Sequence, residues 1–225
     1  MTLGLLPASG SASRIGGLPK FMLPIEDNFS ILQWHVSLMN EACDKVRVST
    51  RECWMPLVTP LNLGADIYVK EPSTMADAVL EMSRDRNDAV IIGMPDVYIH
   101  NSENNFYKDM LESDGDIVLA TWDYKYKTMK GKVGQVLVDR FSNVLQVIDK
   151  DPSCEFDQMW GAILFRNGLE RIDVDGGSVL KDLNKWIADG VSVKAVAMSG
   201  EYIDSGTFQG LTYLYSKIRE KNESA

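Results

Sequence analysis

The run Asp88 to Gly93 (DAVIIG) constrains the fold most, because Ala89 to Ile92 offers no polar face at all. A strand that is apolar on both sides must be covered on both sides, as in the middle of a parallel sheet. Leu3 to Leu6, Lys45 to Ser49, Asp66 to Val69 and Asp116 to Thr121 read as further strands. Between them, Ser30 to Glu41 spaces Ile31, Trp34, Leu38 and Met39 as one helical face. Thr74 to Arg84 turns Met75, Ala78, Val79 and Met82 inward in the same way. Glu52 to Leu61 is a weaker, proline-interrupted helix, and Asn105 to Glu112 another helix. This alternation argues a three-layer α/β domain.

The second half changes character. Val133 to Val138 and Val144 to Ile148 flank Asp139–Asn143 as an antiparallel hairpin, and Met159 to Phe165 is a further strand. Val179 to Ala188 reads as a helix, Val191 to Ala197 and Tyr202–Ile203 as strands, and Phe208 to Arg219 as a closing helix. The last residues, EKNESA, read as disordered. His35 reads as surface or packed, and His100 as loop surface. No repeat, low-complexity tract or linker divides the 225 residues, so one domain spanning 1–225 is expected.

A net charge of −9 disfavours a nucleic-acid or anionic-membrane surface, which wants a basic patch. It leaves room for a small anionic substrate held by a local group of Arg and Lys. Cys43, Cys53 and Cys154 are widely separated and form no CxxC pair, which disfavours a disulfide framework or structural zinc and fits a reducing cytoplasm. No signal-peptide pattern and no membrane-spanning apolar run is expected.

The opening strand breaks at Pro7 into Ala8, Ser9, Gly10, Ser11, Ala12 and Ser13, with Arg14 ending the run and Pro19-Lys20 following. Small side chains let backbone approach a ligand closely, and exposed N–H groups in such a loop can cradle phosphate oxygens. Cations just beyond the loop can neutralise a polyphosphate. The loop fits neither GxxxxGK[ST] nor GxGxxG, which disfavours a P-loop ATPase and a dinucleotide site. Two aspartates stand where strands end. Asp96 follows the apolar strand in Gly93-Met94-Pro95-Asp96, and ligands of open α/β sheets bind outside such carboxyl ends. Asp204 lies in Tyr202-Ile203-Asp204-Ser205-Gly206-Thr207, between a short strand and a helix.

The loop resembles the opening of the sugar-phosphate nucleotidyltransferases, whose signature runs L-A-A-G-x-G-T-R followed by P-K. Pro7-Ala8-Ser9-Gly10-Ser11-Ala12-Ser13-Arg14 aligns with it without a gap. Ser9 replaces alanine, Ala12 the second glycine and Ser13 threonine. The segment around Asp204 resembles the family's late W-x-D-x-G-T, with Tyr202 for the tryptophan, and Asp96 matches the metal aspartate after the central strand. Lys70 to Ala78 resembles the segment that embraces the nucleobase, implying contacts from Glu71 and Ala76. Val147 to Pro152 resembles the family's E-K-P segment.

The resemblance implies a Rossmann-like, GT-A-like α/β/α fold, with a mixed, mainly parallel central sheet and a small antiparallel acceptor-side hairpin. It implies transfer of a nucleoside monophosphate from a nucleoside triphosphate to a phosphorylated small molecule, best guessed as a sugar 1-phosphate, with Mg²⁺. Nucleotide contacts fall on Pro7 to Ser13, Glu71 and Ala76; Arg14 and Lys20 are catalytic; Asp96 and Asp204 hold the metal. The acceptor falls to Gly134, Asp149, Lys150, Trp160 and Gly161. No nucleic-acid or membrane partner is expected, and homo-oligomerisation stays open.

The resemblance also implies an alternative, since relatives with a similarly short Arg14–Lys20 spacing are CTP-dependent enzymes acting on polyol or alcohol phosphates. A catalytically inactive relative that binds nucleotides or sugar phosphates is the alternative of another class. A glycosyltransferase is disfavoured, because Asp114-Gly115-Asp116 precedes its apolar strand instead of following one. Arg14→Ala is expected to abolish pyrophosphate release with the fold intact by circular dichroism; an unchanged rate would remove Arg14 from the mechanism.

Overall fold

The doubly covered strand lies where the sequence places it, flanked on both sides by other strands and on both faces by helices. The structure is a computed structural model and describes residues 1–10, 16–26, 29–84, 88–123, 133–167, 169, 172 and 178–223. The first half contains β1 (Thr2–Pro7), β2 (Pro24–Glu26), β3 (Phe29–Ser30), α1 (Ile31–Ala42), β4 (Lys45–Thr50), α2 (Met55–Val58), β5 (Asp66–Val69), α3 (Met75–Met82), β6 (Ala89–Gly93), β7 (Val97–His100) and α4 (Phe106–Glu112). The second half contains β8 (Ile117–Asp123), β9 (Gly134–Val138), β10 (Val144–Asp149), β11 (Gln158–Arg166), α5 (Leu183–Ala188), β12 (Val193–Ala197), β13 (Glu201–Asp204) and α6 (Phe208–Glu223).

Among the described residues, nine strands form one mixed sheet in which β6, β1, β4 and β5 run parallel, in that order. β11 lies antiparallel to β6 and carries the second half with it. It pairs with β8 along one side, and β8 pairs in parallel with β12. On its other side, β11 pairs first with β9 at Gln158–Met159 and then with β6 from Ala162 onward. The β9–β10 hairpin therefore hangs from the N-terminal end of β11. This is the three-layer fold, with mixed central sheet and small antiparallel hairpin, that the sequence predicts.

Alternation along the strands sorts the core. Leu6, Val46 and Ile91 face α1 and α4, packing with Leu32, Met39 and Tyr107. Leu3, Leu5, Val90 and Ile92 face α3 and α5, packing with Val79, Met82 and Leu183. A third group, Ile31, Tyr98, Ile203 and Leu214, seats α6 against the antiparallel β7–β13 pair. Ser30 starts α1 through a capping box with Gln33, and Thr74 caps α3 by accepting from the Asp77 N–H at 3.1 Å. No helix among the described residues is long and apolar enough to cross a membrane.

Four local expectations change. Glu52 to Leu61 is three one-turn pieces instead of one helix, because Pro56 and Pro60 remove N–H donors. The helix expected from Val179 begins only at Leu183. The last helix continues through Glu223, supported by Lys217–Glu220 and Arg219–Glu223 ion pairs at 2.6 and 2.7 Å, so most of EKNESA is ordered. His100 lies buried on β7, a strand the sequence reading left out, instead of on a loop surface.

His35 is buried and fastens the turn after β6. Its Nε2–H donates to the Val97 carbonyl at 2.8 Å, and its Nδ1 accepts from the Tyr107 hydroxyl at 2.7 Å. Tyr107 Oη in turn abuts the Cα of Gly93, occupying the space a β-carbon would need. Gly93 is glycine here for close approach of a neighbour.

Burial pushes the His35 imidazolium down from 6.5 to about 4, against smaller raising effects of the Val97 hydrogen bond and the Asp96 charge. Between those two values the unfolded chain binds the proton and the folded chain does not. Stability from this group is therefore full above pH 6.5 and falls as pH drops toward 4, by about 3 kcal/mol. Urea denaturation should show this slope, and His35→Gln should flatten it; an unaltered slope in that variant assigns the loss to other groups. Gly93→Ala should cost roughly 1–3 kcal/mol by overpacking, and adding Tyr107→Phe should recover part of it. No recovery in the double variant would mean that the hydroxyl is not what the methyl meets.

Candidate functional site

Because β6, β1, β4 and β5 are parallel and in register, their C-terminal ends open on one edge of the sheet. The N–H of Ala8 bonds to the Ser49 carbonyl at 3.0 Å, and that of Lys70 to the Thr50 carbonyl at 2.9 Å, extending the pairing past the strands. A cleft of about 420 Å³ lies over this edge. It is floored by Pro7 to Gly10 and bordered by Lys20, Phe21, Arg51 and Trp54, by Pro72 to Met75 and by Met94 to Asp96. Among the described residues, a β-carbon at Gly10 would meet nothing within 4 Å, so the backbone there lies open on that side.

Of the loop residues expected to hold a nucleotide, Pro7, Ala8, Ser9 and Gly10 line the cleft. Ser11, Ala12, Ser13 and Arg14 lie outside the described residues. The departure at Ser9 has a local explanation: its side chain is buried, with its hydroxyl 3.2 Å from that of Ser49. Ser73, Thr74, Met75 and Ala78 at the start of α3 reach the cleft, whereas Ala76 is fully buried in the core and Glu71 is exposed beside the cleft.

Asp96 and Asp204, far apart in sequence, stand side by side. β7 and β13 pair antiparallel with Asp204 opposite Val97. The next residue, Ser205, donates its N–H and its hydroxyl to the Asp96 carbonyl at 3.2 and 2.7 Å. Lys20 reaches Asp96 and the turn at Gly206 that follows Asp204. Its Nζ is 3.0 Å from Asp96 Oδ2. It also lies 3.1 Å from where a β-carbon of Gly206 would sit, a point 2.6 Å from Asp204 Oδ1. The Gly206 N–H donates to that same Oδ1 at 2.6 Å, orienting the carboxylate. Burial, then the Asp204 and Asp96 charges, hold the Tyr202 phenol well above its ordinary value, so it stays neutral beside them.

The acceptor-side residues also converge. Gly134 and Asp149 are cross-strand partners in the hairpin. The Trp160 indole packs directly over Gly134, where a side chain would collide with Nε1. Lys150 follows in the left-handed region at φ 53°, donating its N–H to the Val133 carbonyl at 3.3 Å. Its ammonium is exposed and 3.4 Å from Asp149 Oδ2. Gly161 sits at a register shift of β11 against β8 and takes the Tyr202 and Trp122 rings against its Cα. None of these five residues lines the cleft itself; they adjoin it through β11, whose Ala162 pairs with Gly93.

Arg51 and Trp54 went unnoticed in sequence. Arg51 Nε donates to the Ser9 carbonyl at 2.7 Å, its Nη1 is 3.7 Å from Glu71 Oε2, and its guanidinium lies 5.8 Å from the Trp54 ring centre. Trp54 meets Phe21 edge-on at 5.3 Å. The available signal was position alone: Arg51 directly follows a strand parallel to the one carrying the loop.

The donor set suits a hard divalent cation. Mg²⁺ is commonly bound by one or two carboxylates together with substrate phosphates. Asp96, which lines the cleft, and Asp204, which does not line it but adjoins Asp96, fit that pattern, and among the described residues no group of three or more ligating side chains offers a self-sufficient site.

No family model matches the sequence, and no curated protein matches it significantly. Solved structures do match. One is a Bacillus anthracis protein described as a glucose-1-phosphate thymidylyltransferase, in complex with sucrose; it superposes with a TM-score of 0.79 at 14% identity, over 97% of this chain and 96% of that one. A UDP-glucose pyrophosphorylase complexed with UDP-glucose gives a TM-score of 0.76 at 15% identity, covering 100% of both chains. The chain therefore has the fold of the sugar-phosphate nucleotidyltransferases.

Proposed function

We propose that the protein transfers a nucleoside monophosphate from a nucleoside triphosphate to a sugar 1-phosphate, with Mg²⁺, and releases pyrophosphate. The observation that carries this reading is that Asp96 and Lys20 line a cleft floored by the Pro7–Gly10 backbone, with Asp204 brought beside Asp96 by strand pairing. The UDP-glucose named for one of the two solved structures, and the sucrose named for the other, support it.

In this reading, the open backbone of the loop receives the triphosphate, and Arg14 and Lys20 offset its charge. Asp96 and Asp204 would hold a Mg²⁺ that, when bound, neutralises phosphate oxygens. Lys150 holds the acceptor phosphate, Asp149 a sugar hydroxyl, and Trp160 with Gly161 lines the sugar pocket. An acceptor phosphate oxygen forms a bond to the α-phosphorus while the bond to the pyrophosphate oxygen breaks. The nucleophile is already ionised at neutral pH, so no general base is required. Catalysis then comes from alignment and charge stabilisation.

The test is pyrophosphate release from nucleoside triphosphates paired with sugar and polyol phosphates. Release should require one triphosphate and one acceptor together, stop on chelation with EDTA and return with Mg²⁺. Asp204→Asn and Lys20→Ala should each lower the rate roughly 100- to 1000-fold without loss of fold. Release that survives chelation, or that Asp204→Asn leaves unchanged, would overturn the reading. Nucleotide binding with no turnover for any pair would favour a binding protein.

A further inference from the structure

We infer that His35 is a positioning residue of the site: from inside the core it sets the aim of the Asp96 carboxylate, and so the affinity of the site for a divalent cation. The inference rests on the nucleotidyl-transfer reading, and gives a residue outside the cleft a share in metal binding.

His35 is buried at 2% exposure and does not line the cleft, so it is not a group that meets substrate. Its surroundings do not call for a histidine. The Trp34 ring lies 4.7 Å from it, that of Tyr107 6.1 Å and that of Phe106 6.3 Å. A leucine would fill such a place without burying polar nitrogens, which cost free energy unless hydrogen-bonded. Both nitrogens are bonded. The Tyr107 hydroxyl at Nδ1 leaves the proton on Nε2, and that N–H donates to the Val97 carbonyl.

Val97 is the residue after Asp96, and the bond therefore acts on the turn. The Val97 N–H closes that turn on the Met94 carbonyl at 3.2 Å. Ser205 holds it at a second point, the Asp96 carbonyl. A turn held at one external point can still pivot about it. His35 supplies the other external point, from a different element.

The same helix also holds the segment that carries Lys20. Ile31, the first residue of α1, donates its N–H to the Leu23 carbonyl at 3.0 Å, and the Leu23 N–H bonds to the Lys20 carbonyl at 3.0 Å. His35 follows Ile31 by four residues, about one helical turn, and a helix is stiff over that span. Trp34 meets Tyr98 of β7 edge-on at 5.2 Å and seats the helix against the strand that Val97 opens. One turn of α1 thus spaces the Lys20 segment from the Asp96 turn, and the 3.0 Å Lys20–Asp96 pair lies across that spacing. Residues that orient metal ligands from behind govern affinity in this way.

The experiment is Mn²⁺ binding to the free protein, followed by electron paramagnetic resonance, which reports the Asp96–Asp204 pair without turnover. His35→Leu keeps the bulk and loses the donor; it should weaken Mn²⁺ binding about 10- to 100-fold. His35→Gln, whose amide can donate to the Val97 carbonyl, should restore much of the affinity. Val36→Ala opens a cavity at the next residue of α1, also buried, and should lower stability while leaving Mn²⁺ affinity close to wild type. Tyr107→Phe frees the imidazole from its hydroxyl partner and should weaken Mn²⁺ several-fold; it decides the matter if His35→Leu does not fold. Unchanged Mn²⁺ affinity in folded His35→Leu, or in Tyr107→Phe where the leucine variant is lost, would overturn the inference and leave nucleotidyl transfer standing. Equal losses in Val36→Ala and His35→Leu would also overturn it, because the effect would then be general loosening of the core. Mn²⁺ binding that Asp204→Asn leaves intact, or no binding by the wild type even with a nucleoside triphosphate present, would overturn the metal reading of the site and this inference with it.

Discussion

The bond between Ser205 and the Asp96 carbonyl holds the two halves of the site together. It joins residues 109 positions apart. Without it, and without the β7–β13 pairing behind it, Asp96 would end one strand and Asp204 another, with no reason to meet. Backbone pairing has to deliver these carboxylates, because two like charges do not assemble on their own account. Lys20 pairs with Asp96 and comes close to Gly206 beside Asp204, which sets a cation against their repulsion. The Gly206 N–H orients Asp204 from one side, and the His35–Tyr107 pair steadies the Asp96 turn from beneath.

β11 performs the corresponding task for the acceptor side. It exchanges neighbours along its length, from β9 to β6, close to the register shift at Gly161. Aromatic rings crowd both glycines there: Trp160 over Gly134, and Tyr202 with Trp122 over Gly161. A side chain at either position would push the hairpin away from the cleft. Shape at this joint is thus set by what two glycines leave out, and the hairpin residues Asp149 and Lys150 are placed by it.

Charge is local where it matters. The chain carries a net −9, yet Lys20 and Arg51 both line the cleft. Each is tied to a fixed partner, Asp96 in one case and the Ser9 carbonyl in the other. A cation held in this way loses less side-chain freedom when an anion arrives. The global acidity opposes the approach of a polyphosphate, and the cleft answers with placed cations instead of an overall basic field.

Local pattern was enough for the parallel half of the sheet, for α1 and α3, and for the hairpin, because periodicity and turn chemistry act over a few residues. It also marked Asp96 and Asp204 individually, each at a strand end. Nothing in the local pattern says that the two adjoin, which only the family resemblance implied; the pairing of β7 with β13 that brings them together leaves no trace in either segment. The same holds for β7 itself, four residues whose partner lies about a hundred positions away, and for His100, buried with it. Arg51 was invisible for a related reason: it belongs to no motif, and only the side-by-side ending of β1, β4 and β5 brings it to Ser9 and Glu71. The sequence by itself determined most of the segments that are strands and helices, and which residues can bear charge. Which charges face one another was decided by long-range strand pairing, whose register depends on the whole core.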